Sequence, residues 1–278
     1  MVELKLGELF GSVLVFGGAY SNLAATRALE NVAKTRNIAP GNVICTGDVV
    51  AYCAEPEATV SLLCGWQIPV VMGNCEESLA AQAEDCGCGF IEGSLCSVLS
   101  RGWYAYASRQ ISESCRQWMT ALPRRILFTL ANRSFAVVHG SVRQMNRYIF
   151  ASTSADEKID EINAIGTDVV LAGHSGLPFG QCFGNKTWIN AGVIGLPAND
   201  GTRDGWYLLL QPEDEGLTVS WHRLHYDASL SSRSMQAAGL QEYAQALLTG
   251  YWPSMDVLPR CERSCRGLKL DLPTICLP

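Results

Sequence analysis

With 278 residues, 48% of them hydrophobic and 17% charged, the chain has material for one large buried core, with or without a tail. Its net charge of −6, from 27 acidic against 21 basic residues, comes without a basic block, which excludes the electrostatic footprint of a duplex DNA binder. No apolar stretch approaches the roughly 20 residues that span a bilayer, and Val13-Leu-Val-Phe16 lacks the length and basic flank of a signal-peptide core. These features point to a cytoplasmic protein with no membrane segment, whose 12 cysteines are buried thiols instead of a disulfide framework. Neither Cys86-x-Cys88 nor Cys261-x3-Cys265 has the spacing of a zinc clamp.

Along the chain, Val13 to Gly17 reads as a strand closed by Gly17-Gly18, and Asn22 to Asn37 carries Leu23, Thr26, Leu29, Val32 and Ala33 at helical spacing. The unit repeats: strand Asn42 to Thr46 ending at Gly47-Asp48, then helix Pro56 to Gly65; strand Ile68 to Met72 ending at Gly73-Asn74, then helix Glu76 to Glu84. Such units predict a parallel sheet whose ligand site lies on the loops after the strand C-terminal ends. Ile126 to Leu130 and Ser134 to Val138 read as an antiparallel pair running into His139-Gly140, and helix Asp156 to Ile165 leads to strand Asp168 to Ala172 and Gly173-His174. Strands Lys186 to Asn190, Trp206 to Leu210 and Leu217 to Leu224 suggest a second, more antiparallel sheet. The fold expected is therefore α/β, a two-sheet β-sandwich flanked by helices. Met235 to Leu248 reads as one amphipathic helix and Trp252 to Pro278 as an irregular tail, so residues 1–230 form the domain and 231–278 pack on it.

Four strand-end loops hold Asp48, Asn74, His139 and His174, each beside a glycine. Two imidazoles, a carboxylate and an amide oxygen make a mixed nitrogen and oxygen set suited to one divalent ion of manganese, iron or zinc, and not to calcium. The adjacent glycines permit sharp turns and close approach. The alternative is that the four are hydrogen-bonding struts that shape the loops. The other two histidines, His222 and His225, sit on a late strand at a spacing of three, on opposite faces, and read as structural.

Thr46-Gly-Asp-Val49, Met72-Gly-Asn-Cys-Glu76, Val138-His-Gly-Ser141, Ala172-Gly-His-Ser175 and Asn190-Ala-Gly-Val-Ile-Gly-Leu-Pro197 together resemble the motifs of the calcineurin-like metallophosphoesterase superfamily, across Val13 to Asp227. The Gly73-Asn74-Cys75-Glu76 form is similar to that of the small bacterial and archaeal phosphodiesterase branch. The resemblance implies a four-layer αββα fold and hydrolysis of phosphate esters at a two-metal site between two sheets. It also exposes two departures. The family's opening Asp-x-His is replaced by Gly18-Ala19-Tyr20, and its closing Gly-His-x-His reads Gly173-His174-Ser175-Gly176. Every private ligand of the first metal is thus missing, whereas Asp48, Asn74, His139 and His174 match the full set for the second.

What the resemblance implies is a divergent phosphoesterase acting on a small phosphorylated or nucleotide ligand, with His139 and Asn74 also the candidate catalytic residues. Arg143 and Arg147, whose guanidinium forks suit phosphate oxygens, join Tyr20 and the family-like Asn22 as candidate substrate contacts. Tyr20 projects into the vacated first site, and Cys75 reads as pocket wall. The stretch Gly87 to Leu122, with Trp103, Tyr104, Tyr106 and Trp118, is expected to cap the pocket. Two other readings stay open: a catalytically silent relative that binds a phosphorylated ligand, and a scaffold that uses the fold as a protein-interaction surface. Oligomeric state, a homo-oligomer included, is left open as well.

Overall fold

The computed structural model describes residues 2–278. The chain opens with β1 (Glu3–Glu8) and β2 (Val13–Phe16), then α1 (Leu23–Thr35), β3 (Val43–Cys45), α2 (Pro56–Trp66) and α3 (Asn74–Ala80). Helices α4 (Leu95–Gln110) and α5 (Glu113–Thr120) precede the hairpin of β4 (Arg125–Leu130) and β5 (Arg133–Val137). After α6 (Ala155–Ile165) come β6 (Val169–Ala172), β7 (Phe179–Phe183), β8 (Lys186–Asn190), β9 (Gly205–Glu213) and β10 (Gly216–Leu224). The remaining elements are α7 (Ala228–Ala237), α8 (Gln241–Thr249), α9 (Arg260–Ser264) and β11 (Ile275–Leu277). Side-chain oxygens of Asn22, Ser94, Ser112 and Ser154 accept backbone N–H bonds at the starts of α1, α4, α5 and α6, as N-caps should.

All four residues of β2 are buried, and a strand without a polar face needs cover on both sides. Val13 and Val15 face Phe135, Val169 and Leu171 across the gap between a five-stranded sheet, ordered β11-β10-β9-β2-β3, and a six-stranded sheet, ordered β1-β4-β5-β6-β8-β7. Leu14 and Phe16 pack outward with Leu29 of α1 and Val60 of α2. On the far side, Ala136, Val170 and Trp188 pack with Ile162 of α6. The expected two-sheet sandwich with helices on its outer faces is what these packings build, but Lys186–Asn190, expected beside Trp206 to Leu224 in the antiparallel sheet, pairs in parallel with β6 in the other sheet. Because β2 pairs in parallel with β3, and β5, β6 and β8 run parallel in sequence, their C-terminal ends gather at one edge.

Several elements differ from the sequence expectation. Ile68 to Met72 makes only a single bridge, Cys45 to Val70, because Pro69 has no N–H to extend a ladder. Met235 to Leu248 is two helices, broken where Gly239 takes a left-handed φ of 80°. The tail is not wholly irregular: it forms α9, and its β11 pairs with β10 through Val219 and Ile275. Edge strands β1 and β7 were not anticipated; β1 alternates charge with leucine and leaves much of its surface exposed, a weak hydrophobic signal. All 12 cysteines are free, but Cys182, Cys261, Cys265 and Cys276 are exposed where buried thiols were expected, and no described helix is long and apolar enough to cross a membrane.

Phe128 and Phe135 stack across the hairpin with centroids 4.7 Å apart in the inter-sheet core. Phe135→Ala is expected to lower unfolding stability by about 3–5 kcal/mol, read as a lower urea midpoint with an unchanged slope.

Candidate metal centre

The loops that follow β3, the Val70 bridge, β5 and β6 carry Asp48, Asn74, His139 and His174 to the edge where the two sheets meet. A cross-sheet backbone bond holds this edge together, Gly17 N–H donating to the Gly192 carbonyl at 3.0 Å, and within the five-stranded sheet Gly18 N–H donates to the Gly47 carbonyl at 3.1 Å. Within the six-stranded sheet, Gly173 N–H donates to the His139 carbonyl at 2.7 Å. Asn190 braces the last loop, donating to the Gly173 carbonyl and the Ser175 hydroxyl. Asp48 and His174 both have φ of +57°, a left-handed conformation that costs on the order of 1–3 kcal/mol in a non-glycine residue and persists only where its surroundings enforce it. Gly73 is required by proximity, since a Cβ there would stand 2.5 Å from Asp48 Oδ1.

His139 sets the chemistry of the cluster. Its Nδ1 donates to the Thr46 carbonyl at 2.7 Å, so in the neutral ring Nε2 carries a lone pair pointing inward. Around that Nε2 stand Asn74 Oδ1 at 3.1 Å, His174 Nδ1 at 3.1 Å and Asp48 Oδ2 at 3.2 Å. The Asn74 amide is oriented by its Nδ2, which donates to the Cys86 carbonyl at 2.8 Å and leaves the oxygen facing the cluster. Four buried ligating atoms thus converge on one point, where a single cation can satisfy them together. Donor atoms bound to one ion through bonds of ~2 Å stand about 3–4 Å apart, and the spacings from His139 Nε2 together with the 3.9 Å from Asp48 Oδ2 to His174 Nδ1 fall in that range, so the residues fit a divalent ion. Asp48, His139 and His174 form the one cluster of three or more such ligating side chains among the described residues.

The same crowding governs protonation. Burial would raise the Asp48 carboxyl, but the two imidazoles outweigh it and hold it well below the usual carboxylate range. Burial pulls His139 down, yet Asp48 and the Thr46 hydrogen bond win and its pKa is raised. His174 is lowered, because burial and the neighbouring His139 prevail over Asp48. Its Nε2 is buried with no hydrogen-bond partner, which leaves Nδ1 as the atom facing the cluster.

Glu76 had no role in the sequence reading beyond its place in a motif, yet it builds the Asp48 loop. Completely buried, it accepts N–H bonds from Asp48 at 2.8 Å, Val50 at 3.0 Å and Gly73 at 3.0 Å. Burial, with the Asp48 charge behind it, pushes its pKa up to about 7. The available signal was Glu at the third position of α3, half of a capping box.

The remaining candidates separate. Tyr20 lines a cavity of about 50 Å³ beside Asp48 and His174. Asn22 does not: its amide donates to the Gly195 carbonyl and the Tyr226 hydroxyl and its oxygen accepts from Ala25 and Ser231, so every polar atom is used in bracing the fold. Arg143 pairs with Glu161 and Arg147 with Glu157, both on α6, with side chains 58% and 51% exposed, and neither lines the cavity. Cys75 is buried with its thiol pKa pushed up by burial, and it too lies outside the lining. Of the stretch 87–122, Cys88, Phe90 and Cys96 reach the cavity, while Trp103 and Tyr104 are core residues. The walls that sequence reading missed are Tyr52, Tyr148, Tyr243 and Trp252, remote in sequence and assembled by the fold. His222 stacks on Tyr207 and His225 pairs with Asp204, away from the cluster.

At the positions where the resemblance places first-metal ligands, the chain offers Gly18, Tyr20 and Gly176. A Cβ on Gly176 would lie 3.3 Å from the Trp252 ring and 3.8 Å from the Tyr20 hydroxyl, so two aromatic side chains stand there.

Glu76→Gln replaces a triple acceptor by a group whose amide N–H₂ faces N–H donors. The expected result is a stability loss of about 1–3 kcal/mol and a manganese affinity about 10–100-fold weaker, read by urea unfolding and metal titration.

A family model described as the calcineurin-like phosphoesterase superfamily domain matches residues 20–215. The uncharacterized protein MJ0912 of Methanocaldococcus jannaschii is 24% identical over 233 residues, covering 77% of this chain and 88% of that protein. Among solved structures, the metallophosphoesterase from Sphaerobacter thermophilus superposes with a TM-score of 0.65 at 22% identity, over 87% of this chain and 100% of its own. The hypothetical protein PH1004 from Pyrococcus horikoshii OT3 does so with a TM-score of 0.72 at 16% identity, over 87% and 99%. These two likenesses show a shared fold, and the family model spans well over half of the chain. The chain belongs to the calcineurin-like phosphoesterase superfamily.

Proposed function

We propose that this protein is a phosphoesterase working with a single divalent ion held by Asp48, Asn74, His139 and His174, on a small phosphorylated or nucleotide substrate. The observation that carries the reading is the convergence of four buried ligating atoms on one point, beside a neighbouring position filled by Tyr20 and Trp252. When bound, a divalent ion supplies Lewis-acid charge to a phosphoryl oxygen and acidifies water. His139 and Asn74 orient the ligand set, the Thr46 carbonyl holds the His139 proton away from the site, and the aromatic wall excludes solvent. In this reading residues 1–230 carry the site, and 231–278 close over it through Tyr243 and Trp252.

A second reading, a catalytically silent family member that binds a phosphoryl ligand or a protein, is favoured by one specific observation. No lysine or arginine lines the cavity, so charge developing on a phosphoryl group would meet one ion and neutral phenols.

Metal analysis of purified protein and hydrolysis of bis(p-nitrophenyl) phosphate with added manganese separate the two. The expected outcome is about one metal per chain with manganese-dependent turnover that is abolished, along with metal binding, in the Asp48→Ala, His174→Ala double variant. Metal without turnover supports the silent reading, and absence of both rejects the metal site.

A further inference from the structure

We infer that the segment 252–257 is an occluding strap, and that ligands reach the metal pocket only when it lifts. The inference rests on the reading that this pocket is the working site. The cavity beside Asp48 and His174 holds about 50 Å³, room for a few waters, against the ~300–1,000 Å³ of pockets that bury an organic ligand. A phosphorylated metabolite therefore does not fit the closed form. One wall of the cavity is the strap itself: Trp252, Pro253, Ser254 and Val257. Gly176, with a left-handed φ of 75° and no side chain, leaves the space that the Trp252 indole enters.

The strap is held by few bonds. Trp252 N–H donates to Asn199 Oδ1 at 2.9 Å and its indole Nε1 to the Pro197 carbonyl at 2.6 Å, while Asp256 Oδ2 accepts from Cys96 N–H at 3.3 Å and its carbonyl from Arg263 Nη2 at 3.0 Å. Its residues are only half-buried and Asp256 is exposed, whereas Tyr20, His174 and Tyr243 beneath it are at most 7% exposed. A segment with little buried area and a handful of hydrogen bonds belongs to the low-stability end of a fold, where local opening precedes global unfolding. Gly250, with a left-handed φ of 79°, precedes the segment and Leu258, 2% exposed, anchors its far end, so the stretch between them is the part free to lift.

Cys96, 8% exposed, lies in the cavity wall under Ser254 and Asp256 and reports on lifting, and Cys45 and Cys53 are core references. Asp256→Ala cuts an anchor without altering the cavity lining, and Trp252→Ala removes the plug. In the full-length protein, iodoacetamide labelling of Cys96, mapped by peptide mass, is expected to quicken about tenfold in Asp256→Ala, as for the loss of one hydrogen bond to a charged group, and to quicken likewise in Trp252→Ala, which loses the plug. Cys45 and Cys53 should stay unlabelled, and kcat/KM for bis(p-nitrophenyl) phosphate should rise in parallel. Unchanged Cys96 labelling in both variants, a matching rise at Cys45 and Cys53, or faster labelling with unaltered kcat/KM in an active enzyme overturns the strap. Faster Cys96 labelling with no turnover in any form leaves the strap standing and rejects the hydrolytic reading instead.

Discussion

The proton that His139 gives to the Thr46 carbonyl decides what the surrounding loops become. With Nδ1 committed, Nε2 presents a lone pair to a space already occupied by the oxygens of Asn74 and Asp48 and by His174 Nδ1. A cluster of acceptors in a dry interior is unfavourable unless a positive charge enters it. The protein tolerates that arrangement because each ligand is braced from behind: Asn74 by the Cys86 carbonyl, the Asp48 loop by Glu76, the His174 loop by Asn190. Left-handed Asp48 and His174 are further signs that the framework imposes the geometry, not local preference.

The two-sheet sandwich is what makes this bracing available. Parallel strands end together, so residues from about 130 positions of sequence meet within a few ångströms, and buried β-strands on either side prevent the loops from drifting apart. The aromatic wall then replaces solvent beside the cluster. Tyr52 links Tyr20 at 4.7 Å to Tyr243 at 4.7 Å, which ties the opening loop to α8. Burial drives the phenols of these residues well above their ordinary pKa, so the wall stays neutral next to a cluster that calls for charge.

Legibility followed the range of the signal. Glycine beside a polar residue at the end of a short hydrophobic strand is a local pattern, and it marked Asp48, Asn74, His139 and His174 as a group that the fold does assemble. Arg143 and Arg147 looked suitable by charge and by nearness to His139 in sequence, but α6 presents Glu157 and Glu161 to them, and a partner on another element is invisible to spacing. Asn22 was read by motif and spends its bonds on Gly195, Tyr226 and Ser231, all distant in sequence. Trp252 escaped notice because a proline- and cysteine-containing tail carries no periodicity, and its partner, Gly176, is defined by what it lacks. The short edge strands β1, β7 and β11 have the same weakness: they are half-exposed and lean on pairing for their existence.

The pairing of β11 with β10 has a consequence for how the tail behaves as a polymer. Residues between α8 and β11 form a loop fastened at both ends, one by a helix that packs into the core and the other by a strand in the sheet. If the strap lifts as proposed, it rebinds as a tethered ligand, whose effective concentration at its own docking site is on the order of millimolar. Lengthening such a loop changes its closure entropy only logarithmically, by roughly 0.6 kcal/mol per doubling. Any molecule that competes for the same face therefore meets a rival that never diffuses away, and its apparent affinity is scaled down by the fraction of time the tether is off.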